Sequence, residues 1–535
     1  MARFLSDTNV YYIKTNDPLG YRALPQVLII TKRIVFILFA LGTPVFAIGA
    51  ELAPKNVLMI SVDDMRDWTN FLGGYEGEVF TPHMDKLAEQ GINFTNAHCP
   101  SPVCNPSRTA VMTGLMPSTT GVYGNSQWLR PNLPETMTMP RFFKEQGYRV
   151  VGTGKSFHHT AGNNPPDQWH AYKRIPWADF PWTRSNKLNY PWAEWMPPPE
   201  EYPFSKVEFL RGRDERDWGI LPREEAEFDD VVIVDYAIEF LKNHTNANPF
   251  FLSVGTFHPH LPWYVPKRFH NLYAEADIYL PEAPQNDLDD IPPIPRKWAA
   301  ARRDEMEAAQ DAGQWEEAVR CYLASITFAD AQVGRVLGAL EQSIHAEDTI
   351  IILWSDHGFH LGEKNHWMKT TLWEEATRVP FIITTPEMES AGKTSRRPVN
   401  LISIFPTLVS LLGMNSDIPF DGPDLSPLLT APDKQWEHPS VIDYEYGNSA
   451  VRDERWRYIR YKDGTEELYD HNSDPDEWHN LSADPTYQKI KDRLAKHLPK
   501  TYAPNLPGKS AFVFDPDKWT YTNKKSGEVF HGNSK

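Results

Sequence analysis

Four short, mainly apolar runs stand out in the hydrophobic pattern of this chain, and polar or charged residues follow each of them at once. They cover residues 56–62, 148–152, 250–255 and 348–355. Runs of this length are typical of strands buried on both faces of a parallel sheet. Between the last two runs, apolar residues recur at helical spacing from Val319 to Leu340. The pattern predicts an α/β fold with a large, mixed but mostly parallel sheet between helices.

The pattern changes after residue 430. A helix-like segment, 401–412, precedes the change, and from about Val441 the chain shows short alternating strands. The predicted elements are a strand at 456–461, a turn at 462–465, a strand at 467–470 and a helix at 487–498. We therefore predict a catalytic α/β domain over residues 51–430 and a smaller antiparallel subdomain with a helix over 431–535. The tail from Thr501 has no predicted role.

The first 50 residues have the pattern of a leader with a signal peptide. Lys32 and Arg33 precede an apolar run at 34–41, and small residues suited to cleavage follow at 45–50. The run is too short for a comfortable bilayer crossing, although an uncleaved anchor is the alternative. We expect an exported protein, periplasmic or secreted, with no stable membrane span after processing.

Composition and charge narrow the classes of partner. The chain has 535 residues, of which 41% are hydrophobic and 23% charged, which is typical of a globular protein. Its formal charge is −17, and the leader carries a surplus of positive charge, so the remainder is still more acidic. This balance argues against a nucleic-acid partner. A polyanionic substrate would need a locally basic pocket.

Two of the runs are followed by pairs of residues that can bind a metal ion. Asp63 and Asp64 follow the first run, and Asp356 and His357 follow the fourth. Adjacent carboxylates at the end of a buried strand repel one another, and a divalent cation is a common way to stabilise them. Helix capping is the alternative. Oxygen-rich ligands favour calcium, whereas an imidazole is also compatible with other metals.

The other two runs lead into cationic groups. Lys155 and His158 follow the second run, and His258 and His260 follow the third. Lys369 lies downstream of Asp356 and His357. One histidine in a loop is more often structural than catalytic. Because polar and charged side chains follow all four predicted strands, the strand ends together predict the basic pocket that an anionic substrate requires.

The segment from Cys104 to Gly114 predicts a nucleophile at the start of a helix. Pro106 suits a first helical turn and Gly114 suits a stop, so Cys104 would lie where backbone N–H groups and the helix dipole attract anions. A buried, inert cysteine is the alternative. Cys99 and Cys321 are too few for a disulfide framework, and we expect both to be buried thiols.

Cys-x-Pro-Ser-Arg followed by Thr-Gly resembles the signature of the type I sulfatases, whose fold is alkaline-phosphatase-like. The resemblance is strongest to the iduronate-2-sulfatase-like branch and covers roughly residues 55–480. It implies that a formylglycine-generating enzyme, or an anaerobic maturation enzyme, converts Cys104 to 3-oxoalanine (formylglycine). It implies one calcium ion held by the residue at Cys104 and by Asp63, Asp64, Asp356 and His357. It also implies that Arg108 holds the formylglycine in place, and it assigns sulfate binding or proton transfer to Lys155, His158, His260 and Lys369.

Two positions depart from that branch. His258 stands where a lysine is expected, and His366 occupies a position that is often acidic. The resemblance implies hydrolysis of sulfate esters on a sulfated carbohydrate, and a uronic-acid-containing glycan such as a glycosaminoglycan or ulvan is our first candidate. The alternatives are a general arylsulfatase, a phosphonate or phosphate ester hydrolase of the same superfamily, and a catalytically dead glycan-binding protein.

Two proline-rich stretches predict loop insertions. The first, 176–203, contains Trp182, Trp192 and Trp195, which suit stacking on sugar rings, although ordinary surface packing is equally compatible. The second lies at 281–303.

Overall fold

The computed structural model of the protein describes residues 55–160, 162–174, 203–211, 216–245, 248–386 and 388–532. The predicted leader and nearly all of the tryptophan-rich insertion, including Trp182, Trp192 and Trp195, lie outside these residues. None of the helices in the described ranges combines the length and apolar character that a bilayer crossing requires. The predicted domain boundary at residue 430 stays a prediction.

The strands of the described residues are β1 (Asn56–Val62), β2 (Ile92–Phe94), β3 (Ala97–His98), β4 (Arg149–Gly154), β5 (Ala171–Lys173), β6 (Trp218–Ile220), β7 (Phe250–Gly255), β8 (Trp263–Val265), β9 (Thr349–Ser355), β10 (His360–Leu361), β11 (Trp367–Met368), β12 (Phe381–Thr384), β13 (Lys393–Ser395), β14 (Val399–Asn400), β15 (Ser440–Asp443), β16 (Ser449–Arg452), β17 (Trp456–Arg460), β18 (Glu466–Asp470), β19 (Phe512–Asp515), β20 (Thr520–Asn523) and β21 (Val529–His531).

The α-helices in the same ranges are α1 (Pro82–Gln90), α2 (Cys104–Thr113), α3 (Pro117–Thr120), α4 (Leu129–Asn132), α5 (Met139–Glu145), α6 (Asp229–Asn243), α7 (Lys267–Asn271), α8 (Pro293–Ala300), α9 (Arg303–Asp311), α10 (Trp315–Glu341), α11 (Glu374–Thr377), α12 (Ile404–Leu411), α13 (Ser426–Thr430) and α14 (Gln488–Ala495).

The four apolar runs form four adjacent strands of one sheet. The sheet has eight strands in the order β13-β2-β12-β9-β1-β7-β4-β5, and β12 pairs antiparallel with both of its neighbours while the other pairs are parallel. Register aligns the ends of the central strands, because Val62 lies beside Ser355 and Ser61 beside Gly255. The carboxyl ends of β9, β1, β7 and β4 therefore meet at one edge, as the sequence predicts.

Side-chain alternation along β1 gives the sheet two apolar layers. Leu58 and Ile60 join the core on the face covered by α6 and α10, whereas Val57 and Met59 join the core on the face covered by α2, α5 and α12. All four side chains are fully buried. Removing the side chain of one such residue, as in Leu58→Ala, costs about 2–5 kcal/mol.

The C-terminal region contains the predicted antiparallel sheet, β15-β16-β17-β18, with α14 packed against it. Two features extend beyond the prediction. The tail forms a second antiparallel sheet, β19-β20-β21, in which Phe512 and Tyr521 pack against Trp128. The stretch predicted as a second insertion contains α8, whose Trp298 packs into the core of the four-stranded sheet. Both features depend on partners far away in sequence.

Candidate active site

Helix α2 presents Cys104 at its first residue. Val103 is extended (φ −146°) before the helix, and Gly114 ends the helix in a left-handed conformation (φ +71°). The next residue, Asn105, anchors this end: its Nδ2 donates to the carbonyls of Gly124 (3.0 Å) and Gln127 (2.7 Å). Cys104 is 1% exposed. The predicted helix start is confirmed, and the thiol lies at the positive end of the helix dipole.

The loop that anchors Asn105 is fastened in turn by the tail of the chain. Gln127 Nε2 donates to the carbonyl of Leu506 (2.8 Å), and the Tyr123 hydroxyl donates to the carbonyl of Ala503 (2.9 Å). Gly121 permits this close approach, because a Cβ atom there would lie 2.4 Å from the carbonyl oxygen of Pro504. The tail segment 503–508 therefore supports the loop that holds the nucleophile helix.

The Cys104 thiol is surrounded by cations. Its Sγ lies 3.2 Å from Lys369 Nζ and 3.3 Å from His357 Nε2. Burial alone would raise the pKa of the thiol, but the charges of Lys155, Lys369 and His357 outweigh burial and hold the pKa well below its ordinary value. A group at this position is therefore stabilised as an anion, and an anionic substrate would meet the same cations.

Arg108 joins two strand ends rather than contacting the nucleophile. Its Nε donates to Asp356 Oδ2 (2.7 Å) and its Nη2 to Asp63 Oδ1 (3.1 Å), and all three side chains are fully buried. Burial opposes ionisation of Asp356, but the guanidinium holds the pKa of this carboxyl below its ordinary value. Arg108 lies four positions after Cys104 in α2, so both side chains lie on the same face of the helix. That face therefore presents Cys104 and also holds the two aspartates in place.

The two lysines contact the two adjacent aspartates. Lys155 pairs with Asp63, and Lys369 Nζ lies 2.6 and 2.7 Å from the two oxygens of Asp64. Three acidic side chains thus face three basic side chains: Asp63, Asp64 and Asp356 against Arg108, Lys155 and Lys369. A divalent cation bound here would add positive charge, which suits an anionic ester.

Both adjacent aspartates lie in candidate groups of metal ligands. Asp64, Cys104, Asp356 and His357 each offer a ligand atom, and these atoms lie within 4.8 Å of one another. Two carboxylates, an imidazole and the residue at position 104 suit a divalent cation. Asp63 belongs to a second such group, with Asp64 and His260, and its role as a ligand stays a prediction. Both aspartates also contact basic side chains through their two oxygens.

Besides His357, three histidines lie near Cys104 among the described residues. His260 Nε2 lies 3.8 Å from Asp64 Oδ2, and its Nδ1 donates to the carbonyl of Leu261. His158 interacts with the Cys104 thiol, and its Nδ1 is buried with no hydrogen-bond partner among the described residues. The structure adds His159, whose ring centroid lies 4.5 Å from that of His158. Sequence reasoning missed His159, although the paired histidines after β4 were a usable signal.

The two unusual histidines, His258 and His366, make contacts inside the protein. His258 Nδ1 contacts Asp230 Oδ2 (2.8 Å) and its Nε2 contacts the carbonyl of Tyr264 (3.0 Å). His366 is fully buried and contacts only backbone carbonyls through its ring nitrogens. Both side chains have internal structural contacts.

The fold and this site together define an ester hydrolase with an alkaline-phosphatase-like architecture. The sulfatase family profile matches residues 55–414, and the profile of the N-sulphoglucosamine sulphohydrolase C-terminal region matches residues 362–503. The chain belongs to the sulfatase family and is a sulfuric ester hydrolase. The resemblance found in the sequence is confirmed.

Related proteins agree with this assignment. A sulfatase from Formosa agariphila is 36% identical over 87% of this chain and 90% of its own length. Iduronate 2-sulfatase from Homo sapiens is 32% identical over 67% of this chain and 69% of its own length. An ulvan-active sulfatase from Formosa agariphila is 27% identical over 85% and 82%, respectively. The solved phosphonate monoester hydrolase of Agrobacterium radiobacter shares the fold, with a TM-score of 0.65, 21% identity and coverage of 86% and 98%.

Proposed function

We propose that this sulfatase removes sulfate esters from a uronic-acid-containing polysaccharide or its oligosaccharides, after conversion of Cys104 to formylglycine and with one bound calcium ion. The observation that carries the proposal is the position of Cys104, buried at a helix start between Lys369 and His357. The apolar run at 34–41 supports export, and we propose a periplasmic or secreted location.

The residues around position 104 also suit a hydrated formylglycine. A formylglycine hydrate supplies an attacking hydroxyl and a second hydroxyl whose deprotonation expels inorganic sulfate. The unpartnered Nδ1 of His158 leaves a buried ring next to this position, ready to interact with such a group. We propose His158 as the base of the expulsion step.

A bound calcium ion would be held by Asp63, Asp64, Asp356, His357 and the residue at position 104, and it would neutralise charge on the sulfate oxygens. Lys155 and Lys369 contribute cationic donors beside the same position, and Arg108 keeps Asp63 and Asp356 in place. We propose His260 as the acid that protonates the leaving sugar hydroxyl, because its Nε2 lies 3.8 Å from Asp64 Oδ2 and its side chain is 17% exposed, so that a substrate can reach it.

Two observations support a glycan substrate. The relatives include proteins named for activity on iduronate and on ulvan, both of which contain uronic acid. The formal charge of the chain is −17, so attraction to a polyanion has to come from the pocket itself. The shared fold keeps a phosphonate or phosphate ester hydrolase as the second candidate function.

A substrate panel tests this proposal. We expect kcat/KM for a sulfated uronic-acid oligosaccharide to exceed that for 4-nitrophenyl sulfate by about 10²-fold or more, because remote sugar contacts contribute binding energy in the transition state. Released sulfate is measured by ion chromatography, with the desulfated oligosaccharide as control. Equal turnover of 4-nitrophenyl sulfate indicates a general arylsulfatase. Faster cleavage of an aryl phosphonate indicates the second candidate, and binding without turnover indicates a dead glycan-binding protein.

The acid and base assignments predict a bell-shaped dependence of kcat/KM on pH. Burial lowers the pKa of His158 to about 4, and burial also lowers the pKa of His260 despite the nearby Asp64. A base works when deprotonated, so the rate rises as pH increases through about 4. An acid works when protonated, so the rate falls as pH increases through the lowered pKa of His260.

Stopped assays between pH 3.5 and 9 measure this profile. We expect His158→Asn to lose the acidic limb and His260→Asn to lose the alkaline limb, each with a lower maximum rate. If kcat/KM of the protein without substitutions stays constant from pH 4 to 8, both assignments are contradicted.

A further inference from the structure

The loop that carries Lys369 runs through unusual backbone conformations. Between Gly362 and Thr370, φ is positive at four non-glycine residues: Lys364 (58°), Asn365 (47°), Met368 (87°) and Thr370 (78°). Threonine is β-branched, so this conformation is strained at Thr370. Strained backbone persists only where the surrounding structure holds it in place. The contacts that hold this loop therefore determine where the ammonium of Lys369 lies.

Two side chains contact the carbonyl oxygen of Lys369: the Thr370 hydroxyl donates to it, and His366 Nε2 lies 2.8 Å from it. Nδ1 of His366 lies 3.1 Å from the carbonyl oxygen of Ala299 at the end of α8. The ring is fully buried and packs edge-on against His360, with centroids 5.1 Å apart. One side chain thus joins the peptide group of Lys369 to a helix of the neighbouring core.

The two contacts are not equivalent. Both partners of His366 are carbonyls, which only accept hydrogen bonds, and a neutral imidazole has one N–H. Burial lowers the pKa of His366, which favours the neutral ring. The shorter contact is the one to Lys369. The proton therefore belongs on Nε2, facing Lys369.

We propose that His366 is a positioning residue for sulfate hydrolysis: its Nε2–H fixes the peptide from which Lys369 reaches Asp64 and the nucleophile. This inference rests on the proposed function, because it takes Lys369 to contact the sulfate group. Lys369 Nζ lies within 3.2 Å of both Asp64 and Cys104, so a small rotation of its peptide removes the cation from the reacting position.

A pair of amide variants separates the two contacts. A glutamine amide nitrogen reaches the place of Nε2, whereas an asparagine amide nitrogen reaches the place of Nδ1. We expect His366→Gln to keep kcat within about threefold of the unmodified protein. We expect His366→Asn to lower kcat by roughly 10²-fold with little change in KM, on the scale of losing one donor that stabilises transition-state charge. Rates are divided by the formylglycine content measured by mass spectrometry.

Two further measurements exclude a merely structural effect. His345→Asn is the matched control for His366→Asn, because His345 is also buried and its Nε2 also contacts a carbonyl, that of His244, far from Lys369. It is expected to lower Tm and leave kcat unchanged. In combination with Lys369→Ala, His366→Asn is expected to cause no further loss of rate, since both changes remove the same interaction. Equal losses in the Asn and Gln variants, or additive losses in the double variant, overturn the inference.

Binding of inorganic sulfate, measured by calorimetry, distinguishes the two levels of the argument. The protein without substitutions and the His366→Gln variant should bind sulfate with similar affinity, and the His366→Asn variant should bind it about tenfold more weakly. If the protein without substitutions binds sulfate but releases none from any substrate, the proposed function is wrong. The effect of His366 on Lys369 is then still measured by the difference in sulfate affinity between the variants. If His366→Asn binds sulfate as tightly as the unmodified protein, the inference about His366 is wrong.

Discussion

Replacing Cys104 with alanine is expected to abolish sulfate release, by on the order of 10⁴-fold or more, while the free energy of unfolding changes little. The reason is that position 104 supplies the attacking oxygen after conversion, and the remaining cations cannot replace it. Helix α2 should survive, because Asn105 still donates to Gly124 and Gln127. Sulfate release and Tm are measured on the same preparations. Cys104→Ser is expected to be equally inactive where serine is not converted.

The chain offers a control of the same residue type. Cys99 is also fully buried, its Sγ contacts the carbonyl of Ala376, and burial raises the pKa of its thiol. Cys99→Ala should retain turnover and lose some stability. Mass spectrometry of the Cys104 peptide tests the conversion directly, since activity per molecule should follow the converted fraction. Fully active protein that carries an unmodified thiol at position 104 would contradict the formylglycine proposal.

Removing the charge of Asp64 is expected to lower both metal content and turnover, with a loss of rate of about 10²- to 10³-fold or more. Asp64 lies in the cluster of ligand atoms and also pairs with Lys369. Asparagine is the better test than alanine, because Asp64 has φ +58° and asparagine tolerates the left-handed region. Elemental analysis gives the metal content, and chelation of the unmodified protein should reproduce the loss of rate.

Asp67 is the matched control for Asp64. It follows the same strand and is buried, but its carboxylate pairs with Arg66 and Arg378 instead of the site. Asp67→Asn should keep its metal and most of its turnover. After chelation, calcium should restore rate better than zinc if oxygen ligands dominate. Active protein without metal, or normal turnover of Asp64→Asn, refutes the metal proposal.

Much of the site was predictable because its residues lie at the ends of apolar runs. The strand β1 was predicted with its observed bounds, Asn56–Val62, and buried parallel strands place their following residues at one edge. The motif that begins at Cys104 supplied the family. Local signals of this kind need no knowledge of distant contacts.

The division of labour within the site was not predictable. Asp63 and Asp64 are equivalent in sequence, and only the structure shows that Asp63 contacts Arg108 and Lys155 whereas Asp64 contacts Lys369. The role of His366 depends on Ala299, which lies 67 residues away in the chain. The tail sheet depends on Trp128. Each of these features arises from packing between distant segments, which periodicity does not report.

The tail segment 503–508 also bears on when the proposed conversion of Cys104 takes place during synthesis. This segment holds the loop that anchors the helix of Cys104, yet it is made about 400 residues later. At a synthesis rate of about 5–20 residues per second, the interval lasts roughly 20–80 s. Throughout that interval the ribosome-bound chain lacks the last support of the cysteine segment. A maturation enzyme that needs Cys104 in an accessible segment therefore has a limited time to act, and the length of chain between Cys104 and the tail sets that time. A circular permutation that places the tail segment earlier in the chain would shorten this time.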